Sequence, residues 1–230
     1  MQKYRNTVEF CVYGDKALFS DVVTRPGGEK FSYNIPTYEA IKGVLHSIYW
    51  KPTLTWYIDA VRIMKPIKLG RRGIRLLKYN GGSDLAYYTY LEDVCYQVRA
   101  HFEWNMNHPE LEEDRNEGKH YAIAKQMIKS GGRRDVFLGT RECQAYVKPC
   151  IFGKGKGAYD NFSMDMPFMY EGLIYADEAE HPKDRGYMTK FFDTPSIKNG
   201  VIEFTRPSEI PQTCKQHVKK MDIKRFYETE

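Results

Sequence analysis

The sequence predicts an α+β fold: a four-stranded antiparallel sheet with two helices on one face, followed by a small β-rich extension. Three observations predict it. Two segments space their apolar residues as helices do, and four others read as strands. These six run in the order β-α-β-β-α-β over the first 152 residues. Beyond Phe152 the texture changes to loops and short aromatic strands. With 230 residues, 42% hydrophobic and 14% aromatic, the chain can bury a sizeable core, and its aromatic content excludes a disordered class.

Thr7 to Tyr13 alternates, with Val8, Phe10 and Val12 on one side, and is expected to end at Gly14-Asp15. A polar loop containing Pro26-Gly27-Gly28 leads into PTYEAIKGVLHSIYW. There Thr37 is a ready N-cap, Ala40, Ile41, Val44, Leu45 and Ile48 form one stripe, and Lys51-Pro52 forms the stop. Leu54 to Met64, rich in β-branched and aromatic residues, reads as the second strand. The basic, glycine-containing segment up to Ser83 reads as a long excursion. Val94, Tyr96, Val98, Ala100, Phe102 and Trp104 then alternate with polar neighbours as the third strand. From Glu117 to Ser130 the residues Ala124, Met127 and Ile128 recur at helical spacing, and Gly131-Gly132 supplies the stop. Arg141 to Ile151 completes the set as the fourth strand.

This order is that of the ferredoxin-like (RRM-like) fold, which RNA-binding domains share with many unrelated proteins, so topology alone assigns no function. The third strand carries no RNP1-like pattern, and base stacking on the sheet is not expected. The expected domains are 1–152, ferredoxin-like, and 153–230, a small antiparallel β-sheet built from stretches such as FMYEGLIYA, GYMTKFF and GVIEFTRP. GKGKG, without a Ser or Thr after its lysine, is not a phosphate loop and reads as a mobile linker between them.

The net charge of +5 matters less than its distribution. No acidic residue occurs from Ala60 to Ser83, whereas Arg62, Lys65, Lys68, Arg71, Arg72, Arg75 and Lys78 all do. Arg133, Arg134 and Arg141 form a second cluster, and Lys215, Lys219, Lys220, Lys224 and Arg225 a third. One such cluster is ordinary solvated surface, but three point toward a polyanion, RNA or possible DNA. No apolar run approaches the ~20 residues of a membrane helix and no leader is visible, so a cytoplasmic protein with no membrane partner is expected. Five cysteines at scattered spacings, without CxxC, read as reduced thiols rather than a zinc site.

The stretch DRNEGKHY, Asp114 to Tyr121, carries the sharpest question. Lys119 and His120 fall in the first turn of the second helix, where the dipole disfavours cations and favours an anion. Both side chains could converge on one phosphate, or both could simply be solvated. Tyr49 closes the first helix, where simple packing is the competing reading. His46 and His101 are rival bases, while His108, His181 and His217 have no partner pattern. The acidic run Glu110, Glu112, Glu113 and Asp114 reads as a solvated face, and neither a metal site nor a cofactor is expected.

Four blocks in order, GGEKFSYNIPTYEAIKGVLHSIYWKPT, TYLEDVCYQVRAHFEW, DRNEGKHY and GGRRDVFLGTRECQAYV, resemble the CRISPR-associated Cas five family of subtype I-C, the Dvulg type. The resemblance covers roughly residues 5 to 150. It implies a metal-independent endoribonuclease that cuts CRISPR precursor RNA at the base of the repeat stem-loop. The protein then stays on the 5′ handle of the crRNA with other Cas subunits of a type I-C interference complex. It also implies that Tyr49, in SIYW, and Lys119 and His120, in GKHY, are the catalytic set. Which of them is acid and which is base stays open. Arg62, Lys65, Lys68, Arg71, Arg72, Arg75, Arg133, Arg134 and Arg141 are the candidate RNA contacts. A non-catalytic subunit that only caps the guide, or a protein that binds or cuts duplex DNA, are the competing readings.

Overall fold

The computed structural model describes residues 5–22, 24 and 28–223. Pro26 and Gly27 of the expected loop, and Lys224 and Arg225 of the C-terminal basic cluster, lie outside the described residues. The N-terminal part contains β1 (Val8–Ala17), β2 (Lys30–Phe31), α1 (Tyr38–Ile48), β3 (Leu54–Ile63), β4 (Leu69–Leu77) and β5 (Ser83–Trp104). A 3-10 turn (Pro109–Asp114), α2 (Glu117–Ser130), β6 (Val136–Phe137) and β7 (Gln144–Pro149) follow. The C-terminal part contributes β8 (Met164–Asp165), β9 (Met169–Ile174), β10 (Tyr187–Asp193), β11 (Ser196–Lys198), β12 (Val201–Glu203) and β13 (Lys215–Lys220).

The fold is mixed α/β with antiparallel sheets. At its centre the order is β7-β1-β5-β3, every neighbouring pair antiparallel. Val8, Phe10 and Val12 of β1 stand opposite Ala100, Val98 and Tyr96 of β5, and all six are buried. Over this face lie α1, which buries Ile41, Val44, Leu45 and Ile48, and α2, which packs on β1 and β7. Each such side chain contributes about 1.5–3 kcal/mol by leaving water. The Thr37 hydroxyl caps α1 by accepting the Ala40 N–H, an interaction worth about 1 kcal/mol. Asn116 caps α2 in the same way through the Lys119 N–H, and Gly131, at φ 88, ends it in the left-handed conformation.

In β3 the residue Asp59 is a bulge: Ile58 stands opposite Ala100 and Ala60 opposite Arg99, leaving Asp59 without a partner position. Before it, Trp56 and Ile58 face the helices; after it, Val61 and Ile63 do, and Arg62 turns to the opposite face.

Several sequence expectations need correction. Gly14-Asp15 does not end β1, because β5 continues alongside it as far as Ala17↔Leu91. Gly14 serves a different purpose, since a Cβ there would lie 2.8 Å from the Gln144 carbonyl oxygen of the adjoining chain. The basic excursion is itself regular: β4 pairs with the first part of β5 from Leu69↔Leu91 to Leu77↔Ser83, forming a hairpin arm. At its tip the Lys78 N–H donates to the Gly82 carbonyl at 2.8 Å, and Gly81 takes φ 81. GKGKG is not a free linker either. The Gly153 N–H donates to Gln97, Gln97 donates to the Lys154 carbonyl, and Arg62 donates to the Gly155 carbonyl, so the segment is strapped across the sheet face away from the helices.

Residues beyond 153 divide between two sheets. β12 pairs with β3 and carries β11 and β8 outward, extending the first sheet to ten strands. β9, β10 and β13 form a separate three-stranded sheet, and β9 packs against α1. Glu171 of β9 accepts the Tyr38 N–H at 2.7 Å, adding a carboxylate to the start of α1 from outside the helix. Burial pushes the Glu171 carboxyl up to about 8.

Candidate active site

The end of α1, the start of α2 and the last residues of β5 meet at one place. α2 buries only His120, Ala124 and Ile128, spaced i, i+4 and i+8, so its single inward stripe puts an imidazole where the helix would otherwise place an apolar residue. The His120 ring lies edge-on to Phe102 and Trp104 of β5, with centroids 6.4 and 5.7 Å away. Tyr49, the residue that closes α1, leaves helical geometry at φ −159 and brings its hydroxyl to 2.7 Å from His120 Nδ1. The Tyr49 carbonyl in turn accepts the indole N–H of Trp56 at 2.8 Å, which fixes where the chain turns.

The ring's tautomer follows from its other partner. His120 Nε2 lies 2.7 Å from the Asp114 carbonyl oxygen, which can only accept, so Nε2 carries the proton. In the neutral ring Nδ1 then offers its lone pair to the Tyr49 O–H. Burial, followed by the Asp114 charge, pushes the Tyr49 phenol up, while Arg133 pulls the other way. Arg133 is brought there by its backbone: the Arg133 and Arg134 N–H groups both donate to the Ser47 carbonyl at the end of α1.

Lys119 points away from the ring toward solvent, and its ammonium reaches Asp114 Oδ1 at 2.6 Å. The other carboxylate oxygen of Asp114 accepts the Thr53 hydroxyl at 2.9 Å. The Lys119 hydrogen bond, then that of Thr53, holds the Asp114 carboxyl below its ordinary value. The cations of DRNEGKHY are therefore compensated within the protein by a carboxylate from the same stretch. The sequence reading of Asp114 as one more solvated acid missed this, and the five-residue step from Asp114 to Lys119 across a helix start was its signal. Thr53 left no signal. The burial of His120 was legible in the same stripe that marks Ala124 and Ile128, but the Tyr49–His120 contact spans 71 residues and has no local trace.

The structure thus brings Tyr49, Lys119 and His120 to one site, with Arg133 beside it. The candidate RNA contacts are dispersed. Arg62 is buried at 6% exposure, and its guanidinium is taken by Asp160, Gln97 and the Gly155 carbonyl, so it is structural and not open to RNA. Lys65 pairs with Asp93 where the arm leaves the sheet. Lys68, Arg71, Arg72 and Arg75 are exposed along the arm, with Arg71 stacked on Tyr87 at 4.0 Å and Arg72 paired with Glu92 at 3.1 Å. Arg134 and Arg141 are exposed on the loop and turn that flank β6.

The rival bases fare differently. His46 is pulled down to about 4 by burial and then by the Lys42 charge, so it is neutral across the physiological range. His101 is held by Asp59 at 2.7 Å on the other face of the sheet. In the acidic run Glu110 pairs with His108 and Asp114 with Lys119. Among the described residues no three His, Cys, Asp or Glu side chains gather as ligands for a cation, and no helix is long and apolar enough to cross a membrane.

The Cas5d family model, described as CRISPR-associated protein (Cas_Cas5), matches residues 7–205. The chain is 26% identical to a CRISPR pre-crRNA endoribonuclease Cas5d of Mannheimia succiniciproducens, over 86% of this chain and 94% of that one. It is 24% identical to the protein of the same name in Thermus thermophilus, over 84% and 88%. Among solved structures it is similar to a CRISPR-associated protein at 32% identity and TM-score 0.74, covering 89% of this chain and 94% of the other.

Proposed function

The chain belongs to the Cas5d family of CRISPR-associated proteins, and from that premise we propose that it is the endoribonuclease that cuts CRISPR precursor RNA within the repeat. The observation that carries the reading is the 2.7 Å contact between the Tyr49 hydroxyl and His120 Nδ1, with Lys119 on the same helix turn. RNA supplies its own nucleophile. The 2′-OH attacks the adjacent phosphorus and the 5′ oxygen leaves, giving a 2′,3′-cyclic phosphate and a 5′-OH, and no metal need take part. That displacement needs one group to take the 2′ proton, one to return a proton to the leaving oxygen, and a cation for the charge that grows on phosphorus. Lys119 is the cation. Tyr49 and His120 act as a hydrogen-bonded pair that moves a proton between the reacting oxygens and the ring.

Lys68, Arg71, Arg72, Arg75, Arg133, Arg134 and Arg141 hold the backbone of the repeat RNA, and after cleavage the protein stays on the crRNA handle among the other subunits of a type I-C interference complex in the cytoplasm. The β7-β1-β5-β3 core with α1 and α2 is read as a ferredoxin-like processing domain, residues 1–152, with 153–230 as its appendage. A second reading draws on a specific observation: His120 is fully buried and both ring nitrogens are engaged, as a purely structural histidine would be. In that case the chain caps the guide and another protein cuts.

One experiment separates the two. Purified protein is incubated in excess EDTA with a hairpin repeat RNA, and with the same RNA carrying 2′-deoxyribose at the base of its stem. Cutting of the first alone is expected. Tight binding without cutting would leave only the capping role, and cutting of both would remove the 2′-OH mechanism.

A further inference from the structure

We propose that Asp114 is a positioning residue of the cleavage site, its carboxylate holding on Lys119 the place that the scissile phosphate takes when RNA arrives. This rests on the reading of Lys119 as the phosphate-facing cation. Four contacts carry it. Asp114 Oδ1 is 2.6 Å from Lys119 Nζ, its Oδ2 accepts the Thr53 hydroxyl at 2.9 Å, its carbonyl accepts His120 Nε2, and Oδ2 also lies 3.5 Å from that nitrogen. A single residue thus presents an anion to the cation of the site and sets the tautomer of its imidazole.

A carboxylate and a phosphodiester offer an ammonium the same thing, a pair of oxygens sharing one negative charge. The Lys119 side chain is half exposed, so a competing anion reaches it from solvent, and Asp114 stands at the edge of an open cleft lined also by Lys51, Thr53, Glu110 and Glu113. Exchange is easy, because an exposed ion pair contributes little in water. Thr53 keeps Asp114 in place after Lys119 has moved, so a fixed negative charge stays beside the incoming strand. The consequence is that RNA binds this site against a resident anion, and removal of that anion should tighten binding.

The test compares wild type, Asp114→Asn, Lys119→Ala and the double variant. Each is titrated with repeat RNA that carries 2′-deoxyribose at the base of the stem, across a series of salt concentrations, and thermal melts confirm folding. Asp114→Asn is expected to bind about fivefold tighter at low salt, because a like charge next to phosphate is removed. Its log-log salt slope should steepen by about 0.7, the value of one freed phosphate contact on a single strand. In the double variant the steeper slope should vanish, because no Lys119 is left to meet the phosphate, while part of the tightening persists because the like charge is still gone. If Asp114→Asn is misfolded, Asp114→Ser removes the same charge and keeps an oxygen for Thr53. Unchanged or weaker binding in the folded variant, while Lys119→Ala still abolishes cleavage of the all-ribose RNA, overturns the role of Asp114 alone. If Lys119→Ala leaves both binding and cleavage intact, the reading of Lys119 falls and this one with it.

Discussion

The two ends of β5 are opposite environments on one continuous strand. At its C-terminal end the buried Phe102 and the partly buried Trp104 pack on His120, which is fully buried. At its N-terminal end residues 83–91 form half of the arm, where Leu77 is 82% exposed and Tyr79 stands wholly in solvent. Tyr88, opposite Arg72, and Trp104 are sixteen residues apart, a contour of at most about 50 Å at about 3.3 Å per residue, shortened where Asp93 takes φ 54. Tyr49 and His120, the proposed proton-moving pair, lie where a low dielectric makes their hydrogen bond strong and orders them. The exposed cationic side chains of the arm, Arg71 and Arg72 in surface ion pairs among them, lie where a long polyanion can reach them. In the proposed function, chemistry and capture are therefore assigned to separate ends, and an RNA that used both would span the distance between them.

The sharpest way to break the comparison is at the buried end. His120→Ala is expected to lower single-turnover cleavage in EDTA by about 10²–10⁴-fold while repeat-RNA affinity stays nearly constant. Parallel loss of affinity would make His120 a contact residue and merge the two ends. Next comes packing. Phe102→Ala should cost about 3–5 kcal/mol in urea denaturation, against about 0.5 or less for Leu77→Ala on the arm. Equal costs would mean that the arm folds into the core in solution.

Two carboxylates extend the contrast to pH. Glu171 is buried and raised to about 8, so the folded state binds a proton that the unfolded state releases near its ordinary value. Its favourable contribution is complete below that ordinary value and is lost as pH rises through about 8. Glu171→Gln should therefore hold its melting temperature better than wild type as pH rises from about 5 to about 8.5, by a few degrees, about 2–4 °C per kcal/mol. Asp84 on the arm is pulled down by the Leu85 N–H and Lys78 but is fully exposed; Asp84→Asn should leave the melt unchanged. A flat difference curve for Glu171→Gln would show that its carboxyl is hydrated. The smallest effect belongs to the arm itself: replacing Arg71, Arg72 and Arg75 with Ala should lower the salt slope of binding by about 0.7–0.9 for each lost phosphate contact, with cleavage of saturated RNA unaltered. A constant slope would put RNA elsewhere.

What was legible in the sequence follows from which forces act locally. The Thr37 cap, the α1 stripe, the α2 span and the alternation from Val94 to Trp104 are written in adjacent residues, and the structure has them at those positions. β4 is not legible because its order comes from hydrogen bonds to β5 rather than from burial, so arginines and glycines on both faces leave no apolar period to read. A charge count groups Arg62 with the surface cations because it is blind to Asp160, 98 residues away. At the site, family resemblance points to Tyr49, Lys119 and His120, while the contacts of Asp114 and Thr53 need three dimensions.

The bulge at Asp59 has a meaning in genetics. A strand normally tolerates no single-codon deletion, because every later side chain changes face. In β3 the frame is already offset by one, so loss of Asp59 alone would restore a regular ladder and leave Trp56, Ile58, Val61 and Ile63 on the helix side and Arg62 on the other. The deletion would remove a carboxylate from His101 and the carbonyl that accepts the Phe204 N–H at 3.2 Å. Among the codons of this strand, position 59 is the place where length can vary in descent without inverting the core.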